Sequence, residues 1–460
     1  MVANNMLEKL QRMRNYYNSG VTRTKSFRRQ QLLNLKKSVL KYEREIQDAL
    51  YADLKKSPEE TWVTETGFLL SEISVLIKNL HTWMEPERVP TNLVNLPSSS
   101  FIIREPLGIV MVISPWNYPL QLLFTPMAGA IAAGNCVFLK ASEFAAATAK
   151  LMEKIISETF SPEFILFEKG EGAVVIPALM NNFRFDHVFY TGSTSVGRII
   201  YQLAAAKLVP VTLELGGKSP CVIESDANIR IAARRIGMTK FSNSGQMCVA
   251  PDYVLIHRSV KELFIGELKS AVEQFFTEDP SDSYNFGKII DQKHFNRLLG
   301  YLNCGKVVYG GKSKLDKLYL SPTILDEVSL NSPVMQEEIF GPILPVIAFD
   351  TMDEARSVIS LHPDPLAFYI FTSSRKRENA WIQEVSFGGG CVNNASWHLT
   401  NPHLPFGGRG NSGMGSYHGR NSFEIFSHKK AIMKTPTWFD PAIKYPPFKG
   451  KLGLFKKVIR

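Results

Sequence analysis

The chain has 460 residues, 45% hydrophobic and 21% charged, an ordinary globular balance with enough apolar material for two or more cores. Its formal net charge of +10 raises the question of an anionic partner. No basic low-complexity run or nucleic-acid module accompanies that charge, so nucleic acid is not expected, and a solvated surface or a basic rim for a phosphate-bearing cofactor is. The five cysteines lie far apart without a C-x-x-C pair, so neither a metal nor a redox dithiol is signalled. An odd, sparse set suits a reducing, cytoplasmic compartment, and residues 1–20 lack the apolar core of a signal peptide.

Residues 1–80 read as scaffold helices. Between Ser26 and Leu54 the apolar residues Leu32, Leu35, Val39, Ile46 and Leu50 recur at helical spacing, with Arg and Lys on the opposite face. A second helical run covers 65–83. Pro86, Pro90 and Pro97 break the next segment before a short β-prone piece, Ser99 to Ile103, which reads as an edge strand. Leu107 to Leu139 carries no charge and is long enough to span a bilayer, but Pro115, Pro119 and Pro126 with Asn117 and Gln121 divide it. It reads instead as a buried strand, a loop at Pro115 to Asn117, a helix and a second strand, a β-α-β unit of a parallel sheet. Such sheets bind ligands at the carboxyl ends of their strands.

Lys140 and Glu143 follow that second strand. A lysine and a glutamate three apart can hold the two hydroxyls of a ribose, or can be a solvent-facing pair. Further on, Gly192, Ser193, Thr194, Ser195, Val196 and Gly197 open a helix after a strand. A helix N-terminus offers free N–H groups to a pyrophosphate, although no G-x-G-x-x-G is present. Strand and helix then alternate again beyond Glu214, a second α/β unit.

The stretch Lys240 to Tyr253 reads KFSNSGQMCVAPDY and sets Cys248 among turn formers, between Gly245 and Pro251. Glu214 precedes a Gly216-Gly217 pair, and Asn117 lies between two prolines. A thiol, a carboxylate and an amide are the parts needed to attack a carbonyl, activate water and hold an oxyanion. A buried structural cysteine is the plain alternative.

These stretches resemble the aldehyde dehydrogenase superfamily, and within it the class 3 enzymes that include fatty aldehyde dehydrogenases. The carrying motifs are SPWNYP, YTGSTSVG, LELGGKSP, NSGQMCVAPDY, QEEIFGP and LPFGGRGNSGMGSYHG, in the family's order from about residue 6 to about 436. The resemblance implies an α/β fold with a Rossmann-type cofactor domain over 1–92 and 106–213 and a catalytic domain over 214–417. It further implies an oligomerisation arm over 93–105 and 418–436, and leaves 437–460 as a basic tail. It implies NAD(P)-dependent oxidation of medium- or long-chain aliphatic or aromatic aldehydes through a thiohemiacetal and a thioester. Cys248 is then the nucleophile, Glu214 the base, Asn117 an oxyanion donor, and Glu338 a nicotinamide-ribose ligand that shares the base's task. Phe340 packs at the nicotinamide side, and Leu215 joins Lys140, Glu143 and Gly192 to Gly197 at the cofactor. Glu143 should repel a 2′-phosphate and favour NAD, with NADP left open. Ala141 replaces the family's proline, and Asn394 stands where the family usually has aspartate. Phe406 and His418 resemble substrate-side residues, though His418 reads equally well as a packed structural histidine. A homodimer is implied by class 3 analogy.

The rival enzymes are a CoA-acylating dehydrogenase, disfavoured by Glu214, and a thiol hydrolase or acyltransferase, which needs a histidine that is absent between His187 and His257. After Asp440 the tail holds six Lys or Arg and no acid, mixed with aromatic and aliphatic residues. That pattern suits peripheral contact with an anionic membrane surface.

Overall fold

A computed structural model describes residues 2–459. The charge-free run folds as expected from its proline breaks. Ile109–Ile113 is a wholly buried strand, Pro119–Ala133 a helix with proline in its first turn and Gly134 as its left-handed cap, and Cys136–Lys140 a second buried strand parallel to the first. They belong to a six-stranded sheet ordered Gly413–Met414, Val211–Glu214, His187–Thr191, Ile109–Ile113, Cys136–Lys140, Ile165–Glu168. Five strands are parallel. Chain order reverses between Ile109–Ile113 and His187–Thr191, so loops after those two strands flank a topological switch point.

A second sheet has seven strands: Lys306–Tyr309, Thr323–Asp326, Ile343–Phe349, Tyr253–His257, Pro220–Ile223, Ala367–Phe371 and Gly389–Val392. One apolar core runs from the N-terminal helices through the first sheet into the second, and a smaller one fills the second sheet's other face. A three-stranded antiparallel sheet, Glu87–Val89, Ser99–Pro106 and Ser427–Lys434, stands apart.

The structure departs from the sequence reading in four places. The Ser26 to Leu54 run is two helices, Lys25–Lys41 and Glu43–Leu54, because buried Tyr42 leaves helical geometry to bond Glu158. The next helix begins with a five-residue π turn, Trp62–Thr66, closed by the Gly67 N–H on the Trp62 carbonyl. Glu87–Val89, expected in the cofactor domain, pairs with the arm strand instead. Gly413–Met414, expected in the catalytic domain, returns to the edge of the first sheet opposite Glu214; at Gly413 a side chain would strike the Leu213 carbonyl.

Candidate active site

The nucleophile turn follows the helix Ile229–Phe241. Asn243, Ser244 and Gly245 take successive left-handed φ values of 48°, 53° and 73°. Such conformations cost of order 1–3 kcal/mol per non-glycine residue and persist only where surroundings enforce them. Here the enforcement is explicit. The Asn243 N–H donates to Glu60 Oε1 (2.9 Å), and its Nδ2 donates to the carbonyls of Asn117 (2.9 Å) and Gln246 (3.1 Å). Buried Gln246 donates to the Asn243 and Lys288 carbonyls (both 3.0 Å) and accepts the Ile290 N–H (3.0 Å). At Gly245 a Cβ would run into the Gly341 carbonyl. On the far side, the Tyr369 hydroxyl donates to the Val249 carbonyl (2.6 Å). Cys248 is therefore held at both ends, half-buried, on the wall of a cavity of about 200 Å³.

Two carboxyl groups act on that thiol. Glu214 ends the strand Val211–Glu214, is 2% exposed, and lines the same cavity. Neither of its oxygens has a protein partner, and burial pushes its carboxyl well above the usual range. Glu338 is half-buried in the loop after Pro333–Gln336 and packs on Gly216, where a Cβ would strike its carboxylate. Its backbone is clamped on both sides. Lys218, paired with Asp252, donates to the Val334 and Glu337 carbonyls (both 2.9 Å), and Asp252 accepts the Ile339 N–H (2.9 Å). Arg297 donates to the Glu338 carbonyl (3.2 Å) and the Ile339 carbonyl (2.8 Å). Burial, then the charge of Asp252, pushes the Glu338 carboxyl up to about 8 against the pull of Lys218, Lys240 and Arg297. Burial, followed by the charges of Glu338 and Glu214, pushes the Cys248 thiol up to about 12.

Asn117 lies beside the turn rather than on the cavity wall. Its Nδ2 donates to the Gln246 carbonyl (3.1 Å), and its Oδ1 is buried without a partner. One Nδ2 hydrogen remains free for a second acceptor. Buried polar atoms without partners are uncommon in folded proteins, and several cluster here: both Glu214 oxygens, Thr191 Oγ1, and both ring nitrogens of His418. Most of the remaining wall surface is apolar, with Val63, Phe68, Leu122, Met238, Trp397 and Phe406 among its residues. His418 stacks on Phe406 with centroids 5.1 Å apart and lies against Phe68 at 5.3 Å. Burial pushes its imidazole down to about 3, so it is neutral. The structure thus brings His418, which its motif singles out as a substrate-side or packed histidine, to the thiol's cavity from 170 residues away in the chain, with neither ring nitrogen partnered. Gln121 and Tyr417, also on the wall, carry no such expectation, and only the fold brings them there.

The expected cofactor residues gather along the carboxyl edge of the first sheet. Lys140 is buried, with Nζ on the Ala141 carbonyl (2.6 Å) and near Glu143 (3.4 Å). Glu143 also accepts the Gly172 N–H (3.1 Å). Partial burial opposes its charge, but those bonds, its own backbone N–H and Lys140 hold its carboxyl below the usual range. Ser193 caps the helix Thr194–Ala205 by accepting the Val196 N–H (3.4 Å). Gly192 lies against the Tyr190 ring, Thr194 bonds the Asn411 carbonyl (3.4 Å), Ser195 and Val196 are exposed, and Gly197 is buried against Leu215. Leu215 itself lines the thiol cavity, and its N–H donates to the Ser412 carbonyl (3.0 Å). Phe340 takes φ 49° and meets Trp116 edge-on at 5.3 Å. An ionised carboxylate fits ribose hydroxyls, and a helix N-terminus fits a pyrophosphate. Exposed Phe144 and Val196 are apolar surfaces beside them. This edge fits a dinucleotide.

A thiol and a buried carboxyl on one cavity, a second carboxyl whose charge reaches the thiol, and a dinucleotide edge beside them define a carbonyl-oxidising enzyme. Residues 10–432 match the aldehyde dehydrogenase family model, and the chain belongs to that family. It is 44% identical over 443 residues to the 4,4'-diaponeurosporen-aldehyde dehydrogenase of Staphylococcus aureus, covering 96% of each chain. It is 42% identical to the dimeric NADP-preferring aldehyde dehydrogenase of Canis lupus familiaris, covering 97% of this chain and 98% of that one. A solved structure of Staphylococcus aureus AldH in a substrate-bound state superposes with a TM-score of 0.97 at 42% identity, covering 99% of both chains. The chain is accordingly an NAD(P)-dependent enzyme that oxidises aldehydes to carboxylic acids.

Proposed function

We propose that the preferred substrates are apolar aldehydes, medium- or long-chain aliphatic or aromatic, and that Cys248, Glu214, Asn117 and Glu338 carry the reaction. The supporting observation is the cavity itself, whose wall is apolar except around Cys248, Glu214 and a few unpartnered polar atoms. One relative lends support, since by its name it acts on 4,4'-diaponeurosporen-aldehyde.

In this reading the Cys248 thiolate adds to the aldehyde carbon. A free thiol is a few per cent ionised at neutral pH, and this one is less so, hence the enzyme must ionise it on binding its ligands. The free N–H of Asn117 and the Cys248 backbone N–H hold the resulting oxyanion; losing one such donor typically costs ~10²–10³ in rate. Collapse of the oxyanion expels hydride and leaves a thioester on Cys248. The dinucleotide, held by Lys140, Glu143 and the Gly192 to Gly197 segment with Glu338 and Phe340, supplies the hydride acceptor. Glu214, ionised at that stage, takes a proton from water, which attacks the thioester and frees the acid. Glu338, when ionised, shares the base's task. The carboxylate of Glu143 favours NAD over NADP.

A panel of straight-chain aldehydes followed at 340 nm tests the substrate class. kcat/KM should rise steeply between three and ten carbons, by about tenfold for every two methylenes buried; a flat series would refute the apolar reading.

Two finer proposals concern assembly. The outer edges of Ser427–Lys434 and Gly389–Val392 are unpaired strand edges on one chain, and such edges call for cover. A homodimer in which each arm strand extends the partner's seven-stranded sheet covers both, and sedimentation will report a dimer or a monomer. The cytoplasmic enzyme also touches anionic membrane through its tail. Trp438 is 78% exposed there, and Leu452 and Ile459 stand out beside the lysines. No helix among the described residues is long and apolar enough to cross a membrane. Failure to co-sediment with anionic vesicles at low salt removes that proposal.

A further inference from the structure

Three charged residues on one short N-terminal stretch, none of them on the cavity wall, reach the segments that carry the chemistry. Lys56 is wholly buried. Its Nζ donates to Glu65 Oε1 (2.7 Å) and to the Asn117 carbonyl (2.9 Å), and lies 3.8 Å from the Tyr118 ring centroid. Glu65 is also wholly buried, and its other oxygen accepts the Gln121 N–H (2.9 Å) in the first turn of the helix Pro119–Ala133. Glu60 holds the Asn243 N–H of the nucleophile turn. Glu65 sits in the Trp62–Thr66 π turn, whose Val63 and Thr64 line the cavity. Turns of this kind recur at functional sites.

A buried ion pair is a poor source of stability, because an apolar pair of similar volume serves as well. What the charges add is direction. The Lys56 ammonium must satisfy one carboxylate oxygen and one carbonyl at once, and few positions allow both. The Asn117 carbonyl in turn takes two donors, Lys56 Nζ and Asn243 Nδ2, each at 2.9 Å. The peptide after Asn117 is pinned from two sides, and the Asn117 side chain hangs from that pinned unit.

We propose that the Lys56–Glu65 pair is a positioning device for the oxyanion side of the site, holding the Asn117 loop so that its free amide N–H stays aimed at the oxygen that becomes the oxyanion. This rests on the reading of Asn117 as an oxyanion donor. Lys56 and Glu65 touch neither substrate nor thiol, and act through the loop.

The test replaces both charges together, Lys56→Met with Glu65→Leu, so that no lone charge stays buried. Melting should remain close to wild type. The single-turnover hydride burst at saturating aldehyde and NAD should slow by about 10²-fold, while alkylation of Cys248 by iodoacetamide, a reaction without an oxyanion, should stay within about twofold. In an Asn117→Ala background the same pair of substitutions should slow the burst no further. A folded pair variant with a wild-type burst overturns the proposal. So does an alkylation rate that falls in step with the burst, or a loss that multiplies on Asn117→Ala. If the pair variant does not fold, Lys56→Arg keeps the charge, changes the donor geometry and carries the same three readings. An Asn117→Ala enzyme with an unimpaired burst would instead remove the Asn117 reading, a failure distinct from that of the pair.

Discussion

The strand end at Glu214 and the loop at Glu338 each bring a carboxyl group to Cys248, and they do so in opposite surroundings. Glu214 is enclosed, with no partner for either oxygen, and burial alone raises its pKa. Glu338 is half-buried and stands among charges: burial first, then Asp252, push its carboxyl up, while Lys218, Lys240 and Arg297 pull it down. A group with no partner is free to bind water and take its proton. A group whose neighbouring backbone is clamped by Lys218, Asp252 and Arg297 is better suited to holding a ligand and passing a proton on. Two residues of one type thus acquire different work from their environments.

The largest effect should come from the thiol that both carboxyls face. Cys248→Ala should abolish aldehyde oxidation, leaving cofactor binding by fluorescence titration intact; measurable turnover would refute the covalent route. Next is Glu214→Gln. The hydride burst should survive while steady-state turnover falls by about 10²–10⁴, the usual worth of a positioned general base. Acyl-enzyme should accumulate and be visible by intact mass. Glu338→Gln should cost less turnover than Glu214→Gln. Equal losses would erase the distinction between the two sites. A thiol pushed up to about 12 should alkylate faster with rising pH in cofactor-free enzyme, about tenfold per unit from pH 7 to 10 without a plateau. Removing one carboxyl through Glu338→Gln should lift that rate above about pH 8, where Glu338 is ionised and its charge is the second-largest cause of the shift, and leave it unchanged below.

The same comparison shows what was legible in the sequence. Glu214 could be located because it precedes a Gly216-Gly217 pair inside a motif that resembles the family's, and Cys248 because turn formers flank it; that Glu214 ends a strand came only with the fold. The charge-free run resolved into strand, loop, helix and strand because proline and glycine punctuate it. The partners of these groups were not legible. Lys218, Asp252 and Arg297 surround Glu338 from positions 41 to 120 residues upstream, and only tertiary packing assembles them. His418 reached the cavity by the same kind of return. The break at Tyr42 goes with a single side-chain contact and the π turn with one backbone bond, and periodicity encodes neither.

The smallest effect is on stability, and its sign separates Glu338 from an ordinary paired carboxylate. Its carboxyl sits at about 8 in the folded chain against 4.5 for the free side chain. Between those values the folded protein keeps a proton that the unfolded chain has released, so folding binds protons and stability falls as pH rises through that window. A carboxylate held by ion pairs would do the reverse and gain stability over its own lower range. Glu338→Gln cannot titrate, so the difference in melting temperature between variant and wild type should grow in the variant's favour from pH 5 to 8 and level off above about 9. A difference that is flat with pH, or that grows toward acid, would mean that Glu338 is ionised in the resting enzyme and that Lys218, Lys240 and Arg297 outweigh burial and Asp252.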